Sequence, residues 1–378
     1  MAETQNLAHV NFYWRPVNLS YQQMLHYAAR IKSDPRTPIF FNHFDQNKVI
    51  CTKDGLIKSL TGYYETNESA LRAQYSVWDT TPRTFLIERN AMGINEMNQF
   101  VAYYREMSSK NYNVERGLPK KHCEQNMWVV KPSSLNRGRK IGIFKHLKNI
   151  QDYIFASNSS VRDWVVQKYI EKPLLYNGRK FDIRVWVLVT ADFKIYMYRQ
   201  GYLRTSSGKY TTSDQNNMVH LTNHCFQVNG SNFAQYEEGN TLSYQEFQDY
   251  LDANFRRQKP ILEEFFLPRI KDIIIDTFLS SKRSLTHASK PHTFELFGFD
   301  FLIDEDFRTW LLEVNTNPYL GTPNEYLKKL VPQMLNDMLK IVLDPVLTPK
   351  IVPDTVRRND FELIYNDARA SREGKNIN

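Results

Sequence analysis

Two neighbouring segments near residue 300 carry oxygen-bearing side chains whose spacing matches a site for a divalent cation. In FELFGFDFLIDEDFRTWLLEVNTNP, Asp300 interrupts an aromatic run, and Glu313 and Asn315 lie two residues apart in the next apolar run. Side chains two residues apart on a strand share a face. Two carboxylates and an amide that converge on one face are hard oxygen ligands suited to Mg²⁺ shared with phosphates. The competing interpretation is an acidic edge strand.

This convergence depends on the hairpin between the two runs. A four-residue loop over 304–307 would place Asp300 opposite Leu311 and on the face of Glu313 and Asn315, because cross-strand partners share a face. A three- or five-residue loop would send Asp300 to the opposite face. The proposed cation site therefore requires a four-residue loop.

Charged side chains alternate along a second predicted strand. Lys180, Asp182 and Arg184 take every other position in RKFDIRVWVLVT and project from one face, which Arg204, one hairpin later, is expected to approach. Charges in line inside a core need partners. The alternative is an exposed strand face, but the apolar WVLV that follows favours a strand covered on both sides.

A basic loop completes a set of groups that fits a nucleotide. In WVVKPSSLNRGRKIGIF, a strand delivers Lys131, and a Ser/Gly/Arg loop leads into the next strand. Amides and cations that face one spot can cover polyphosphate oxygens. The GxxxxGK[ST] order is absent, so a plain basic hairpin is the alternative. The strand VVQKYI could offer backbone groups at its end to a flat base, and together these pieces predict an ATP site built from β-sheets.

The elements that must position these residues divide the chain into an amino-terminal and a larger strand-rich unit. We predict a small α/β domain over 1–107, a linker or mobile loop over 108–126, an α+β catalytic region over 127–345 and a charged, partly disordered tail over 346–378. Helical spacing is expected over 243–255, 261–279 and about 324–343, with a kink at Pro268.

Composition excludes several classes of protein. The 378 residues carry a net charge of +8, with three cysteines far apart and no apolar run of transmembrane length. The amino end lacks the layout of a secretory signal, so we expect an intracellular protein without disulfides. The basic excess fits a solvated surface or an acidic partner. The acidic partner open to such a surface is nucleic acid, for which no binding motif is evident, or a Glu-rich polypeptide.

In this combination the sequence resembles the tubulin–tyrosine ligase and ligase-like family, whose members have the ATP-grasp fold. The resemblance is carried by WVVKPSSLNRGRKIGIF, QKYIEKPLL, GRKFDIRVWVLV, YRQGYLRTSS, HLTNHCFQ, YEEGN, FELFGFDFLID and LLEVNTNP, after NHF, TKDGL and TPRTFLI nearer the amino end. It implies antiparallel sheets that sandwich ATP, next to a small amino-terminal α/β domain.

The resemblance also implies roles for individual residues. Arg184 and Arg204 would neutralise the γ-phosphate and the oxyanions formed during reaction, and Asp300, Glu313 and Asn315 would bind Mg²⁺. The other residues implied to contact ATP are Lys131, Arg137, Gly138, Arg139, Ile141, Gln167, Lys168, Tyr169, Ile170, Lys180, Asp182 and Asn223.

The implied reaction is ATP-driven amide-bond formation. A carboxylate of an acidic tubulin carboxy-terminal tail would become an acyl phosphate, and a free amino acid would then displace phosphate. Glutamate or glycine is favoured as that amino acid, and tyrosine stays open. Such an enzyme would act in the cytoplasm, at the cytoskeleton or in a cilium, without nucleic acid or membrane as partner.

The sequence departs from the family pattern at Lys140, where many relatives have glycine. A lysine there adds charge or restricts the backbone. Two other functions stay open. One is a catalytically inactive protein of this fold that binds tubulin tails or microtubules, and the other is an ATP-grasp ligase that modifies a small molecule or a non-tubulin protein.

Overall fold

The computed structural model describes residues 11–17, 21–34, 36–72, 74–89, 95–109, 122–135, 138–156, 160–213, 217–255, 260–286, 292–347 and 359–368. The expected linker over 108–126 lies largely outside these residues. None of the described helices is long and apolar enough to cross a membrane.

The first described elements form a small unit of helices and a two-stranded parallel sheet. Its strands are β1 (Phe12–Tyr13) and β2 (Phe40–Phe41), and its helices are α1 (Tyr21–Ser33), α2 (Lys48–Cys51), α3 (Lys53–Thr66) and α4 (Glu68–Arg72). Thr52 caps α3, since its hydroxyl accepts a hydrogen bond from the Gly55 amide at 3.2 Å. This cap fixes where α3 begins, and with it the position of Lys53, the first residue of the helix.

A four-stranded antiparallel sheet follows, in the order β3-β6-β4-β5. The strands are β3 (Thr84–Glu88), β4 (Trp128–Pro132), β5 (Gly142–Phe144) and β6 (Asp163–Lys168), and α5 (Met97–Met107) and α6 (Leu147–Phe155) pack on the sheet. β3 precedes residue 107 yet pairs with β6 along its whole length. A boundary at 107 would therefore cut this sheet, although the division into domains stays a prediction.

The second sheet has eight strands, five of them in the order β11-β10-β8-β12-β13. They are β7 (Leu175–Tyr176), β8 (Arg179–Thr190), β9 (Lys194–Tyr198), β10 (Tyr202–Lys209), β11 (Thr241–Ser243), β12 (Phe294–Ile303), β13 (Thr309–Thr316) and β14 (Phe361–Asn366). β8 and β12 lie at its centre and are buried along almost their whole length. Two sheets of antiparallel strands with helices confirm the α+β class.

The described helices of the carboxy-terminal half are α7 (Asn217–His220), α8 (His224–Gln227), α9 (Tyr244–Asn254), α10 (Leu267–Thr286), α11 (Glu325–Val342) and α12 (Asp344–Leu347). Three of them, α9 to α11, confirm the predicted positions, and three short ones, α7, α8 and α12, were not predicted. A π-helical turn, Leu262–Phe266, runs into α10 immediately before Pro268. Proline lacks an amide N–H, so irregular backbone hydrogen bonding is expected at this point of the helix.

The hairpin between β12 and β13 differs from the predicted one. Ile303 pairs with Thr309, so the loop spans five residues, 304–308, and the four-residue prediction is wrong. The register then shifts by one residue at Leu312, which lets Asp300 pair directly with Glu313. The longer loop by itself would put Asp300 on the face opposite Glu313 and Asn315. The extra residue in the bulge shifts the side chains after it to the other face, so the three residues share a face again.

Residues 361–366, within the predicted charged, partly disordered tail, form the strand β14. This strand pairs with β9, and Phe361 is buried with its ring 4.8 Å from that of Tyr198. Lys271 binds the carboxylate of Glu362 at 2.7 Å. Apolar residues within this charged segment therefore form an edge strand. The overall charge of the segment gave no indication of that strand.

Replacing Phe361 with alanine is expected to lower the free energy of unfolding by about 3 kcal/mol, because a buried aromatic ring leaves a cavity. Leu363 lies on the same strand with 45% of its surface exposed. Leu363→Ala should change stability by less than about 1 kcal/mol. Urea unfolding of both variants tests the docking of β14, and equal losses would contradict it.

Candidate active site

A row of charged side chains crosses four adjacent strands of the eight-stranded sheet. Arg204 on β10 is opposite Asp182 on β8, Arg184 on β8 is opposite Asp300 on β12, and Asp300 is opposite Glu313 on β13. Cross-strand partners share a face. The row confirms that the charged positions of these strands project toward one place.

Asn315 joins the two carboxylates of the hairpin. Its Nδ2 lies 3.3 Å from Asp300 Oδ2 and 3.2 Å from Glu313 Oε1. The three proposed cation ligands are therefore neighbours, as the sequence predicts. A rotation of the Asn315 amide by 180° would turn Oδ1, in place of Nδ2, toward a cation. The two orientations differ only in which atom is assigned as oxygen.

Two arginines hold Asp300. Arg184 donates from Nε to Oδ1 at 2.5 Å and from Nη2 to Oδ2 at 3.0 Å, and Arg204 donates from Nη2 to Oδ2 at 2.8 Å. Burial by itself raises the pKa of Asp300, but the two guanidinium groups outweigh burial and hold the pKa well below its usual range. Asp300 is therefore a carboxylate across the physiological pH range.

Asp182 fixes the second arginine. Its Oδ1 accepts a hydrogen bond from Arg204 Nε at 2.6 Å, and its other oxygen accepts one from the Thr222 hydroxyl. Burial raises the pKa of Asp182, with Arg204 opposing the rise and Asp300 adding to it. Arg204 thus bridges two buried carboxylates, an arrangement that sets its guanidinium plane.

A glycine under Arg184 makes room for it. A Cβ atom at Gly298 would lie 2.9 Å from Pro318 Cβ and 3.3 Å from Arg184 Cδ. Glycine otherwise weakens a central strand. Its place in β12 is explained by the close approach of Pro318 and Arg184.

A cavity opens between the two sheets on the side of Asp182 and Asp300. Of the residues predicted to contact ATP, the following line it: Lys131, Gly138, Ile141, Gln167, Lys168, Tyr169, Ile170, Lys180, Asp182 and Asn223. Arg204, Asp300 and Glu313 also line it. We call this the nucleotide cavity.

Two lysines line the nucleotide cavity, and the side chains that accept their hydrogen bonds are uncharged. Burial lowers the pKa of Lys131 to about 8, and burial lowers the pKa of Lys180 to about 7. Lys131 donates to Gln167 Oε1 at 2.8 Å, and Lys180 donates to Tyr169 Oη at 3.0 Å; both acceptors are neutral. Buried ammonium groups with uncharged partners favour an anionic ligand.

Lys168 has a structural side chain. Its ammonium group is buried and donates to the Met127 carbonyl, the Tyr169 carbonyl and the Glu171 carboxylate at 2.9, 2.8 and 2.7 Å. These three acceptors satisfy its three donors. Any contact of Lys168 with a ligand in the cavity is therefore expected from its backbone.

The basic loop is only partly placed in the cavity. Arg137 lies outside the described residues, and Arg139 is exposed and is not among the residues that line the cavity. Lys140 has a φ of 53°, in the left-handed region that favours glycine. Glycine would adopt that conformation without strain, and lysine there carries a backbone strain of about 1 kcal/mol.

Sequence reasoning missed Lys53. Its ammonium group donates to the Leu135 carbonyl at 2.8 Å and lies 4.0 Å from Glu313 Oε2, on the wall of the nucleotide cavity. The capped start of α3 in TKDGL was its only local signal. Thr222, next to Asn223 in HLTN, was missed in the same way.

A second cavity adjoins the first. It is lined by Arg184 and Asn315 together with His224, Cys225, Pro318 and Tyr319, and Arg204, Thr222, Asn223 and Glu313 line both cavities. The shared wall carries a guanidinium group and a carboxylate. Two substrates could therefore meet across the row of charges.

Asn315 is needed as the third ligand in the cation hypothesis. Within the described part of the chain, no three His, Cys, Asp or Glu side chains come together in a way that would hold a metal ion. Asp300 and Glu313 with the amide oxygen of Asn315 form an oxygen set of the kind that Mg²⁺ shares with phosphates. The donor chemistry fits that ion.

Most of the chain matches one known family. Residues 31–351 match the model of the tubulin-tyrosine ligase family. The match covers the described parts of both cavities except Pro16. It ends before β14.

Individual relatives are named as glycylases. The chain is 38% identical over 246 residues to tubulin glycylase 3A of Drosophila melanogaster, which covers 64% of this chain and 24% of that protein. It is 37% identical over 254 residues to tubulin glycylase 3D of Tetrahymena thermophila, with 66% and 23% covered. It is 33% identical over 250 residues to tubulin monoglycylase TTLL3 of Homo sapiens, with 64% and 31% covered. The chain thus spans about a quarter of the length of the curated relatives that it matches first.

Proposed function

Because this chain belongs to the tubulin-tyrosine ligase family, we propose that it is an ATP-dependent ligase that joins glycine to a carboxylate of acidic tubulin tails. The observation that carries the proposal is the wall shared by the two cavities. Arg204 and Glu313 face both of them, so a nucleotide phosphate on one side and a carboxylate on the other would meet at one row of charges.

Glycine is chosen from the three amino acids that the sequence leaves open. The relatives in Drosophila, Tetrahymena and human are named as glycylases. The proposal extends to this chain what those names say of longer proteins.

ATP and Mg²⁺ fit the residues present. Lys131 and Lys180 would bind the phosphates of ATP in the nucleotide cavity, and Asp300, Glu313 and Asn315 would hold the ion. When bound, Mg²⁺ offsets the negative charge of the phosphates. The buried lysines with uncharged partners support the anion side of this assignment, and the oxygen ligands support the cation side.

The proposed reaction has two steps. An oxygen of the acceptor carboxylate attacks the γ-phosphorus of ATP, the bond to the bridging oxygen breaks, and ADP and an acyl phosphate result. The glycine nitrogen then attacks the acyl carbon, phosphate leaves with the bonding electrons, and the amine loses a proton as the amide forms.

Arg184 and Arg204 are the proposed catalytic residues. Arg184 binds Asp300 through Nε and Nη2, whereas Arg204 binds Asp182 through Nε and Asp300 through Nη2. A guanidinium group has five N–H donors, so each retains donors for substrate oxygens. Preorganised cations at the junction lower the repulsion between an anionic nucleophile and ATP, which is the main electrostatic barrier.

A second candidate is a ligase that adds glycine to a protein other than tubulin. One relative, 28% identical over 276 residues, is named protein monoglycylase TTLL8 of Mus musculus, with 70% of this chain and 32% of that protein covered. With tubulin as acceptor we place the enzyme at the cytoskeleton or in a cilium. With another acceptor it would act where that protein resides.

The test is incorporation of labelled amino acids. Purified protein is incubated with tubulin, Mg²⁺-ATP and labelled glycine, glutamate or tyrosine in separate reactions. We expect label from glycine in the tubulin tails, dependent on ATP. Incorporation only into a lysate depleted of tubulin would favour the second candidate, and nucleotide binding without any incorporation would support an inactive binding protein instead.

Nucleotide binding is expected to weaken as pH rises. A polyphosphate raises the pKa of Lys180 and Lys131 above their ligand-free values of about 7 and about 8. Binding is then strongest below pH 7 and weakens as pH rises through these values, by at most roughly tenfold per pH unit for each lysine. Titrations of Mg²⁺-ATP between pH 6.5 and 9 measure this slope.

Lys180→Arg serves as the comparison for the pH titration, because a guanidinium group stays charged throughout that range. Its slope should be shallower than that of the wild-type protein, whatever its absolute affinity. Equal slopes would assign the pH dependence to ATP or to another group.

A further inference from the structure

Glu295 is a fully buried carboxylate on β12 that accepts four hydrogen bonds. Its Oε1 accepts from His43 Nδ1 and Asn47 Nδ2, each at 2.8 Å, and from the Thr316 hydroxyl at 2.7 Å. Its Oε2 accepts from the Phe44 amide at 2.9 Å. Three donors come from the amino-terminal unit and one from the end of β13, so a single side chain joins segments about 250 residues apart.

His43 faces an oxygen on each side of its ring. Nδ1 is 2.8 Å from Glu295 Oε1, and Nε2 is 2.6 Å from the Arg15 carbonyl. A neutral imidazole has one donor, so it could satisfy only one of these acceptors. The geometry therefore favours the imidazolium form paired with the Glu295 carboxylate. Burial lowers the pKa of His43, but the hydrogen bond and charge of Glu295 outweigh burial and raise it.

The pair holds two parts of the second cavity together. Asn42 binds both the amide and the carbonyl of Arg15, at 3.0 and 2.9 Å, and Asn317 Nδ2 donates to the Pro16 carbonyl at 2.7 Å. Pro16, Thr316 and Asn317 all line the second cavity. Through His43 and Thr316, Glu295 thus fixes both chain segments that form this wall.

The wall lies away from the nucleotide cavity. Residues alternate faces along β12, so Glu295 is on the face opposite Asp300. Pro16 and Asn317 are exposed, and Tyr319 beside them is 49% exposed. An exposed rim suits a polypeptide that enters from solvent better than a small molecule that binds within.

We propose that His43 and Glu295 are positioning residues that shape the rim of the second cavity for an acidic polypeptide acceptor, without contributing to nucleotide binding. This inference rests on the proposed ligase function. The positively charged groups at the base of this cavity, Arg184 and Arg204, match the negative charge of such an acceptor.

The surroundings of His43 define its expected pH dependence. Among the described residues, the charged side chain against its ring is that of Glu295, while Asn42, Thr316 and Asn317 are uncharged. Cys51 is near Glu295, and burial first, then Glu295, raises the pKa of its thiol well above the usual value, so it stays neutral. Acceptor binding is expected to weaken as pH rises through the raised pKa of His43.

The test uses a fluorescein-labelled, Glu-rich tubulin-tail peptide and fluorescence anisotropy, which requires no turnover. Glu295→Gln removes the charge and keeps the size of the side chain. We expect at least tenfold weaker peptide binding, with Mg²⁺-ATP affinity within twofold of wild type. In the ligase assay, KM for the acceptor should rise more than kcat falls.

Two further variants separate positioning from folding. Thr316→Val removes only the hydroxyl group that donates a hydrogen bond to Glu295. It should also weaken peptide binding, but by less than Glu295→Gln does. His43→Gln should abolish the pH dependence of peptide binding. His26→Gln, at an exposed histidine on α1, is the matched control and should retain it. Thermal unfolding of each variant reports whether it is folded.

The outcomes distinguish the inference from the proposed function. Equal peptide affinity in folded Glu295→Gln or Thr316→Val, or equal loss of Mg²⁺-ATP and peptide affinity, would overturn the positioning role. A peptide that does not bind the wild-type protein would overturn the acceptor assignment. Peptide binding that responds as expected, without incorporation of any amino acid, would support the rim and count against the ligase.

Discussion

Replacing Glu313 with glutamine is expected to lower kcat for ligation by at least about a thousandfold. The change removes one negative charge from the proposed cation ligands, and a bound metal ion supplies several kcal/mol of transition-state stabilisation, where about 4 kcal/mol corresponds to a thousandfold. A glutamine oxygen can still accept the hydrogen bond from Asn315 Nδ2. Stability should therefore change by less than about 1 kcal/mol.

Glu106→Gln is the matched control, because Glu106 is an exposed glutamate on α5. It should leave kcat unchanged. The measurement is steady-state ligation at saturating Mg²⁺-ATP, with urea unfolding of the same preparations. If Glu313→Gln is folded and retains a third or more of wild-type kcat, Glu313 does not hold the ion.

Arg204→Lys is expected to lower kcat by about a hundredfold or more, a loss typical for removal of one preorganised donor to a developing charge. Lysine keeps the positive charge but has no planar fork. It cannot bridge Asp182 and Asp300 as the Nε and Nη2 atoms of Arg204 do. The loss would therefore report geometry rather than total charge.

The comparison for this variant is Arg105→Lys, at an exposed arginine of α5. Both variants conserve charge, so a similar kcat in the two would contradict a catalytic role for Arg204. Single-turnover measurements with pre-bound Mg²⁺-ATP would separate a slower chemical step from weaker nucleotide binding.

The charged row was predictable because strand periodicity is local. Side chains two residues apart share a face, and this alone places Lys180, Asp182 and Arg184 together. To place Arg204 near the same face, the prediction had to assume only one further hairpin. The direct pairing of Arg204 with Asp182 confirms this placement.

The hairpin shows where such reasoning fails. The sequence places Asp300, Glu313 and Asn315 on one face, which is correct, but by way of a four-residue loop that does not exist. Asp304 organises the five-residue loop by accepting hydrogen bonds from two loop amides, at 2.9 and 3.0 Å. A bulge then restores the face. Two compensating irregularities are not visible in a period-two pattern.

Contacts between distant segments were beyond prediction. Lys53 reaches the nucleotide cavity from the start of α3, and Glu295 meets His43 across 252 residues of sequence. Apart from the helix cap before Lys53, neither position has a pattern that separates it from an ordinary surface lysine or an ordinary strand residue. Only tertiary packing gives these side chains their partners.

The most direct test of the central claim is a crystal structure with Mn²⁺ and a non-hydrolysable ATP analogue, in which anomalous scattering locates the ion. The account predicts one Mn²⁺ ligated by Asp300, Glu313 and the Oδ1 atom of Asn315, and by oxygens of the triphosphate in the cavity that contains Lys131 and Lys180. An ion bound to the triphosphate alone, with these three side chains turned away, would contradict it.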